Sequence, residues 1–173
     1  ETVAGHRVSI QTTTRINKIS GCINTADQGG YGWGRIYPNT YLLSLYDQAK
    51  DTRYNELFVH RFKYNDPTSP KYGELIPLTQ SSSYCETLHF MSKKYFDQWT
   101  MADNPDRTTG FKDLIVYRLA ETYLMAAEAY MRRDGGMSTD ALRCYNKTWE
   151  RAGNDKFAGP LTQDILLDEY ARE

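Results

Sequence analysis

Residues 113–153 read DLIVYRLAETYLMAAEAYMRRDGGMSTDALRCYNKTWERAG. Ile115, Leu119, Ala120, Tyr123, Leu124, Ala127, Tyr130 and Met131 recur at three- and four-residue steps. That spacing draws one apolar stripe and predicts a long amphipathic helix from Phe111 to Arg133. Gly135 and Gly136 end it, because glycine tolerates the backbone a helix stop requires. Ser138 or Thr139 caps a second helix reaching about Ala152, with Ala141, Leu142, Tyr145 and Trp149 on its buried face and Cys144 as a buried thiol. Gly153 stops that helix. Pro160 and Thr162 introduce a third, from Gln163 onward, in which Asp164 complements the helix dipole. Two helices joined by a short glycine turn make an antiparallel hairpin, and Ala126, Ala127 and Ala129 let the partner come close. Such a pair is tetratricopeptide-like and cannot bury its apolar face alone.

Upstream the texture changes. His6 to Thr13 alternates, with Val8 and Ile10 on one face, and predicts a half-buried strand. Gly29 to Gly34 (GGYGWG) reads as a flexible loop displaying Tyr31 and Trp33. Asn39 caps a short predicted helix, Thr40 to Gln48. Leu57 to Tyr64 alternates again, with Phe58, His60, Phe62 and Tyr64 on one side. Asn65 to Gly73 is turn-rich. Thr87 to Tyr95 fits a strand, with a helix as the alternative, and Met101 to Gly110 reads as a polar connector. The expected organisation is therefore an irregular loop-rich region over 1–110, with short strands and one short helix. The helical hairpin and the start of a third helix occupy 111–173. The fold class is mainly α with irregular and short β segments. Glu1 opens without a methionine or a basic leader, and Asp168 to Glu173 lie inside a helical pattern. Both ends suggest a fragment of a larger single-domain protein.

Composition narrows the function. Lys plus Arg is 21 and Asp plus Glu is 22, for a net charge of -1, so nothing electrostatic points to nucleic acid or an anionic membrane. The chain holds 14 Tyr, 3 Trp and 6 Phe, which fits either a core with tyrosine at its margins or a surface that recognises something large and polar. No apolar run approaches the roughly 20 residues of a membrane helix. Cys22, Cys85 and Cys144 form no CxxC pair; one bridge, Cys22 with Cys85, is open to them. His6, His60 and His89 are scattered without metal-ligand spacing. GGYGWG lacks the lysine and helix of a phosphate loop, and no DxDxDG loop supports calcium. Asp47 and Asp51 are the one carboxylate pair a glycosidase could use, which leaves catalysis a minor alternative.

The stretch 113–153 resembles the most characteristic part of the SusD/RagB family. The matching positions are Asp113, Arg118, Glu121, Tyr123, Leu124, Ala127-Glu128-Ala129, Ala141, Asn146 and Arg151-Ala152-Gly153. Leu161-Thr162 and Asp168 to Glu173 look like the start of the family's next helix. Tyr46-Asp47 with Asp51-x-Arg53, and Lys94-Tyr95, are weaker echoes upstream. Trp149 departs from the pattern. Arg118 and Glu121 lie three apart, close enough to pair on one helix, and with Glu128 read as scaffold. The resemblance implies a non-catalytic, SusD-like protein that captures oligosaccharide or another nutrient at the outer face of the outer membrane. It also implies a SusC-like TonB-dependent transporter as partner, a lipid anchor outside this chain, and no cofactor.

Glycan capture needs aromatic rings for the C–H faces of sugars and polar groups for their hydroxyls. Tyr31, Trp33 and Tyr37, beside Asn24, Asp27 and Gln28, are the first candidate cluster; Trp99 with Tyr95 is the second. For each ring the alternative is packing on the domain's own surface. A tetratricopeptide-like protein–protein adaptor without glycan binding is the other functional reading, disfavoured by the glycine-rich, strand-like first half.

Overall fold

A computed structural model describes residues 5–78 and 86–173. Among these the fold is mainly α. The helices are α1 (Val8–Thr12), α2 (Thr40–Ser44), α3 (Thr52–Glu56), α4 (Gln98–Asp103), α5 (Leu119–Asp134), α6 (Thr139–Trp149) and α7 (Gln163–Arg172). One short antiparallel ladder joins β1 (Phe58–Val59) to β2 (Met91–Ser92), pairing Phe58 with Ser92 and Val59 with Met91. The chain forms two compact units: Glu1–Thr40 with Asn55–Leu114, and Tyr41–Tyr54 with Ile115–Glu173.

The helical unit holds the hairpin read from the sequence. Leu124 and Ala127 of α5 pack on Ala141, Cys144 and Tyr145 of α6, with Leu161 and Leu166 closing the cluster. The Ser138 hydroxyl accepts from the Ala141 amide at the start of α6. A 3-10 turn, Glu150–Ala152, carries the helix on to Gly153, whose φ of +87° gives the left-handed stop. Thr162 caps α7 by accepting from Ile165. Of the three alanines only Ala127 is fully buried; Ala126 is half-buried and Ala129 faces solvent. Trp149 lies at the rim of this core, its indole N–H donating 2.7 Å to the Asp155 carbonyl.

The long helix starts later than its apolar residues suggest. Residues 111–118 have no regular secondary structure, and Ile115, Val116, Tyr117 and Leu119 are exposed, so they do not belong to the stripe. Leu114, Ile115, Val116 and Tyr117 are consecutive rather than spaced by helical turns, and β-branched side chains resist helix entry. Arg118 consequently stands as the N-cap in extended conformation (φ -130°). Its side chain does not reach Glu121. It donates instead to the Glu173 carboxylate at 3.0 Å and the Glu173 carbonyl at 2.7 Å. Glu128 pairs with Arg132, one turn on.

Arg53 is the charged centre of this unit. It donates bidentately to Asp51 (2.9 and 2.7 Å), and to Glu169 (2.9 Å) and Glu173 (2.7 Å). Asn154 adds a 3.0 Å bond to Asp51, and Arg172 a 2.8 Å bond to Glu169. Burial alone would raise the Asp51 carboxyl, but the bonds from Arg53 and Asn154 outweigh it and hold it below the ordinary value. Glu173 is likewise pushed up by burial and, on balance, held low by Arg151 and Arg53. Asp51 is thus bound into the scaffold and is no candidate for glycosidic chemistry. The helix read over Thr40 to Gln48 ends at Ser44, and Asp47 accepts from the Ala49 and Lys50 amides in a turn.

The other unit is built around Ile16, Cys22, Phe62, Ile76, Leu88 and Met91. Here the strand read over His6 to Thr13 is a one-turn helix, α1. Among the described residues no strand lies alongside to complete a ladder beyond the single His6–Gly110 bridge, while Thr12 and Thr13 hydroxyls donate back to the Ser9 carbonyl. Leu57 to Tyr64 keeps its alternating burial, with Phe58 and Phe62 inward; Phe58–Val59 is laddered, and Lys63 makes an isolated antiparallel bridge to Leu75. Thr87 to Tyr95 resolves into β2 and a 3-10 turn, Lys93–Tyr95. The stretch read as a connector from Met101 is helical through Asp103, with Met101 buried. Cys22 and Cys144 are buried free thiols; Cys85 lies outside the described residues.

Candidate functional site

Asp97 builds the first cleft. As N-cap of α4 its side chain accepts from the Thr100 amide (3.2 Å) and hydroxyl (2.7 Å). It also accepts from the Phe111 (2.7 Å) and Lys112 (3.1 Å) amides across the chain. One carboxylate therefore fixes a short helix against the segment at 111–112. Burial by itself raises the Asp97 carboxyl, yet these donors prevail and hold it below the usual carboxylate range. The cleft so framed has a volume of about 750 Å³ and is lined by Trp99, Phe111, Gln98, Thr100, Lys112 and Asp113 among others. Trp99 stands at its edge 90% exposed, an unusual position for an indole. A flat ring beside an amide, a hydroxyl, an ammonium and a carboxylate is a constellation suited to a sugar ring.

The glycine-rich segment is packed rather than flexible. The Trp33 amide donates 2.7 Å to the Ile10 carbonyl, Gly34 donates 2.8 Å to Thr13, and Tyr31 donates 2.6 Å to Pro105. A Cβ on Gly34 would lie 2.2 Å from the Glu86 carbonyl oxygen, so this glycine is present for close backbone approach. Tyr31, Trp33 and Tyr37 are each half-buried. The Arg7 and Arg35 guanidiniums sit over the Trp33 ring, 5.7 and 4.7 Å from its centroid, and compete for the surface a sugar would use. Tyr37 stacks near His89, with ring centroids 5.1 Å apart. Asn24 donates 2.6 Å to Asp106, and its own carbonyl oxygen is buried without a partner. Gln28 is buried, and Tyr95 lies exposed on the 3-10 turn.

Asp27 belongs to a second cleft, of about 630 Å³, with Asn55, Phe58, His60, Arg61 and Lys93. Lys93 lines both clefts. The eight sequence candidates are therefore not gathered in one place: Asp27 and Trp99 face different clefts, and Tyr31, Trp33, Tyr37, Asn24, Gln28 and Tyr95 line neither. Reading by residue type missed Phe111, which the stripe assigned to a helix, and Arg61 and Lys93. The D-x-x-T spacing of Asp97 and Thr100 was a capping signal that would have marked α4 and lifted Trp99 above Trp33. Among the described residues no group of three or more His, Cys, Asp or Glu could hold a metal ion, and no helix is long and apolar enough to cross a membrane.

The SusD family model matches residues 2–173. This chain belongs to the SusD family. Among solved structures, surface glycan-binding protein A from Bacteroides uniformis is similar at a TM-score of 0.60 and 21% identity. The match covers 98% of this SusD-family chain and 32% of that protein, so the chain spans about a third of its neighbour's length. No curated protein matches. The family match takes in both the hairpin and the irregular unit that carries the two clefts.

Proposed function

We propose that this chain binds oligosaccharide at the outer cell surface and hands it to a SusC-like TonB-dependent transporter, without catalysis of its own. Trp99 carries the reading. Its indole projects into solvent from a helix that Asp97 pins in place, beside polar groups spaced around a cleft. An exposed ring on a pinned helix offers its face to a sugar without first leaving a packed core, which is what a capture site requires. Family membership supports the role, as does the likeness to a protein named for surface glycan binding. The transporter and a lipid anchor on the outer face rest on the family resemblance.

Isothermal titration with neutral and acidic oligosaccharides tests the reading. Binding by at least one glycan should weaken tenfold or more in Trp99→Ala, and change little in Trp33→Ala. A panel that binds equally well after Trp99→Ala would move the site elsewhere, and a panel with no binder would overturn the function.

A further inference from the structure

The second cleft contains more positive charge than its surroundings neutralise. Arg61 and Lys93 are both exposed on its walls. Neither has a carboxylate within ion-pair distance among the described residues, although most arginines of the chain do. Asp27 is the one carboxylate in the lining and is bridged to neither. His60 reports the same field from inside: burial first, then the charges of Arg61 and Lys93, push its imidazole below its ordinary value. A neutral imidazole between two cations can still share hydrogen bonds with hydroxyls. Asn55 adds an amide to this wall. Phe58 and Val59 supply the ladder that fixes it, because Val59 is registered opposite Met91 and Lys93 donates its amide 2.7 Å to the Leu57 carbonyl.

Lys93 also lines the Trp99 cleft, so the two depressions share this residue. In the Trp99 cleft the Asp97 carboxylate is spent on four internal bonds, leaving Asp113 as the carboxylate facing Lys93 and Lys112. A ligand spanning both would meet an aromatic platform at one end and an uncompensated basic pocket at the other. We infer that the glycan taken by this site is anionic, with a carboxylate or sulfate group seated at Arg61 and Lys93 while a neighbouring sugar stacks on Trp99. This inference rests on the proposed glycan-binding role. Arginine suits the task, because its fork matches the two oxygens of either group.

The test compares three probes of equal length with the full chain: a neutral gluco-oligosaccharide, an oligogalacturonate and a sulfated glycosaminoglycan oligosaccharide. Calorimetry should give an acidic probe at least tenfold tighter than the neutral one, with affinity falling severalfold between 50 and about 300 mM salt. Which acidic probe wins distinguishes carboxylate from sulfate. The double substitution Arg61→Gln, Lys93→Gln should remove the acidic preference, so that acidic and neutral probes bind the variant within about twofold of each other. Both residues are exposed and form no ion pair among the described residues, so an unchanged thermal midpoint certifies the variant's fold. Equal affinity for neutral and acidic probes, or an acidic preference that survives the double substitution, overturns the inference while leaving glycan capture standing. If no probe binds, the proposed function fails and this inference fails with it.

Discussion

Replacing Arg53 with alanine tests what holds the helical unit together. The guanidinium is buried and serves Asp51, Glu169 and Glu173 at 2.7–2.9 Å. Removing it deprives Asp51 of a bidentate partner and leaves it the Asn154 amide and the backbone N–H of residue 53. Glu169 keeps Arg172, and Glu173 keeps Arg118 and Arg151. Breaking a buried ion pair on one side costs about 3–5 kcal/mol, and the surviving donors place Arg53→Ala near 3 kcal/mol, at the lower end. For a chain of this length each kcal/mol shifts the melting midpoint by roughly 2–4 °C, so a drop of about 6–12 °C is expected at pH 7. The sign with pH is fixed by the carboxylates. In the native protein Asp51 and Glu173 have depressed values, so their stabilisation is present above the ordinary carboxylate range and is lost as pH falls through the depressed values. In the variant a buried Asp51 without its arginine is destabilised most when ionised. The gap between variant and native protein should therefore narrow on acidification from pH 7 to 4. Urea denaturation across that range measures it. A loss below about 1 kcal/mol at pH 7, or a gap that widens on acidification, would refute a charge-centred scaffold.

Asp97→Ala removes a helix cap and two cross-chain acceptor bonds, and should cost about 1–2 kcal/mol in thermal or urea melts. Because its carboxyl is held low, that contribution is present above the ordinary carboxylate range and disappears as pH falls through the depressed value, so native and variant should converge in acid. Two glycines with positive φ separate conformational strain from close packing. Gly73→Ala meets nothing within 4 Å and should cost about 1–2 kcal/mol. Gly34→Ala would bring its Cβ to 2.2 Å from a backbone oxygen and should lose clearly more, with equal losses arguing that the 31–36 segment is not packed.

The hairpin was legible because glycine stops, hydroxyl caps and three-to-four spacing agree over 119–153, and each reports a local preference. The failures share a cause. Residues 8–12 alternate like a strand, but alternation is decided by a neighbouring strand, and among the described residues the single bridge here is His6 with Gly110. Residues 114–117 are apolar enough to extend a helix, yet the segment leading into them is held by amide bonds from Phe111 and Lys112 to the Asp97 carboxylate and forms no helix. Arg118 was readable as scaffold but not its partner, which lies 55 residues away. The same limit governs the candidate site. Aromatic residues in a glycine-rich run suggested display, whereas the glycines admit backbone contacts that tuck the run in. The basic wall of Arg61 and Lys93 comes from segments that follow the two strands of a ladder and has no signature along the chain.

The three tryptophans occupy such different surroundings that they act as separate optical reporters. Trp99 is almost fully in water, Trp33 lies beneath two guanidiniums, and Trp149 rests on Tyr145 with Arg172 5.0 Å from its ring. Trp99 should emit at the longest wavelength and yield to any small quencher. Trp33, in a cationic shell, should favour iodide over caesium. Emission spectra resolved by quencher charge would thus reveal which part of the molecule a bound sugar covers, with no label attached.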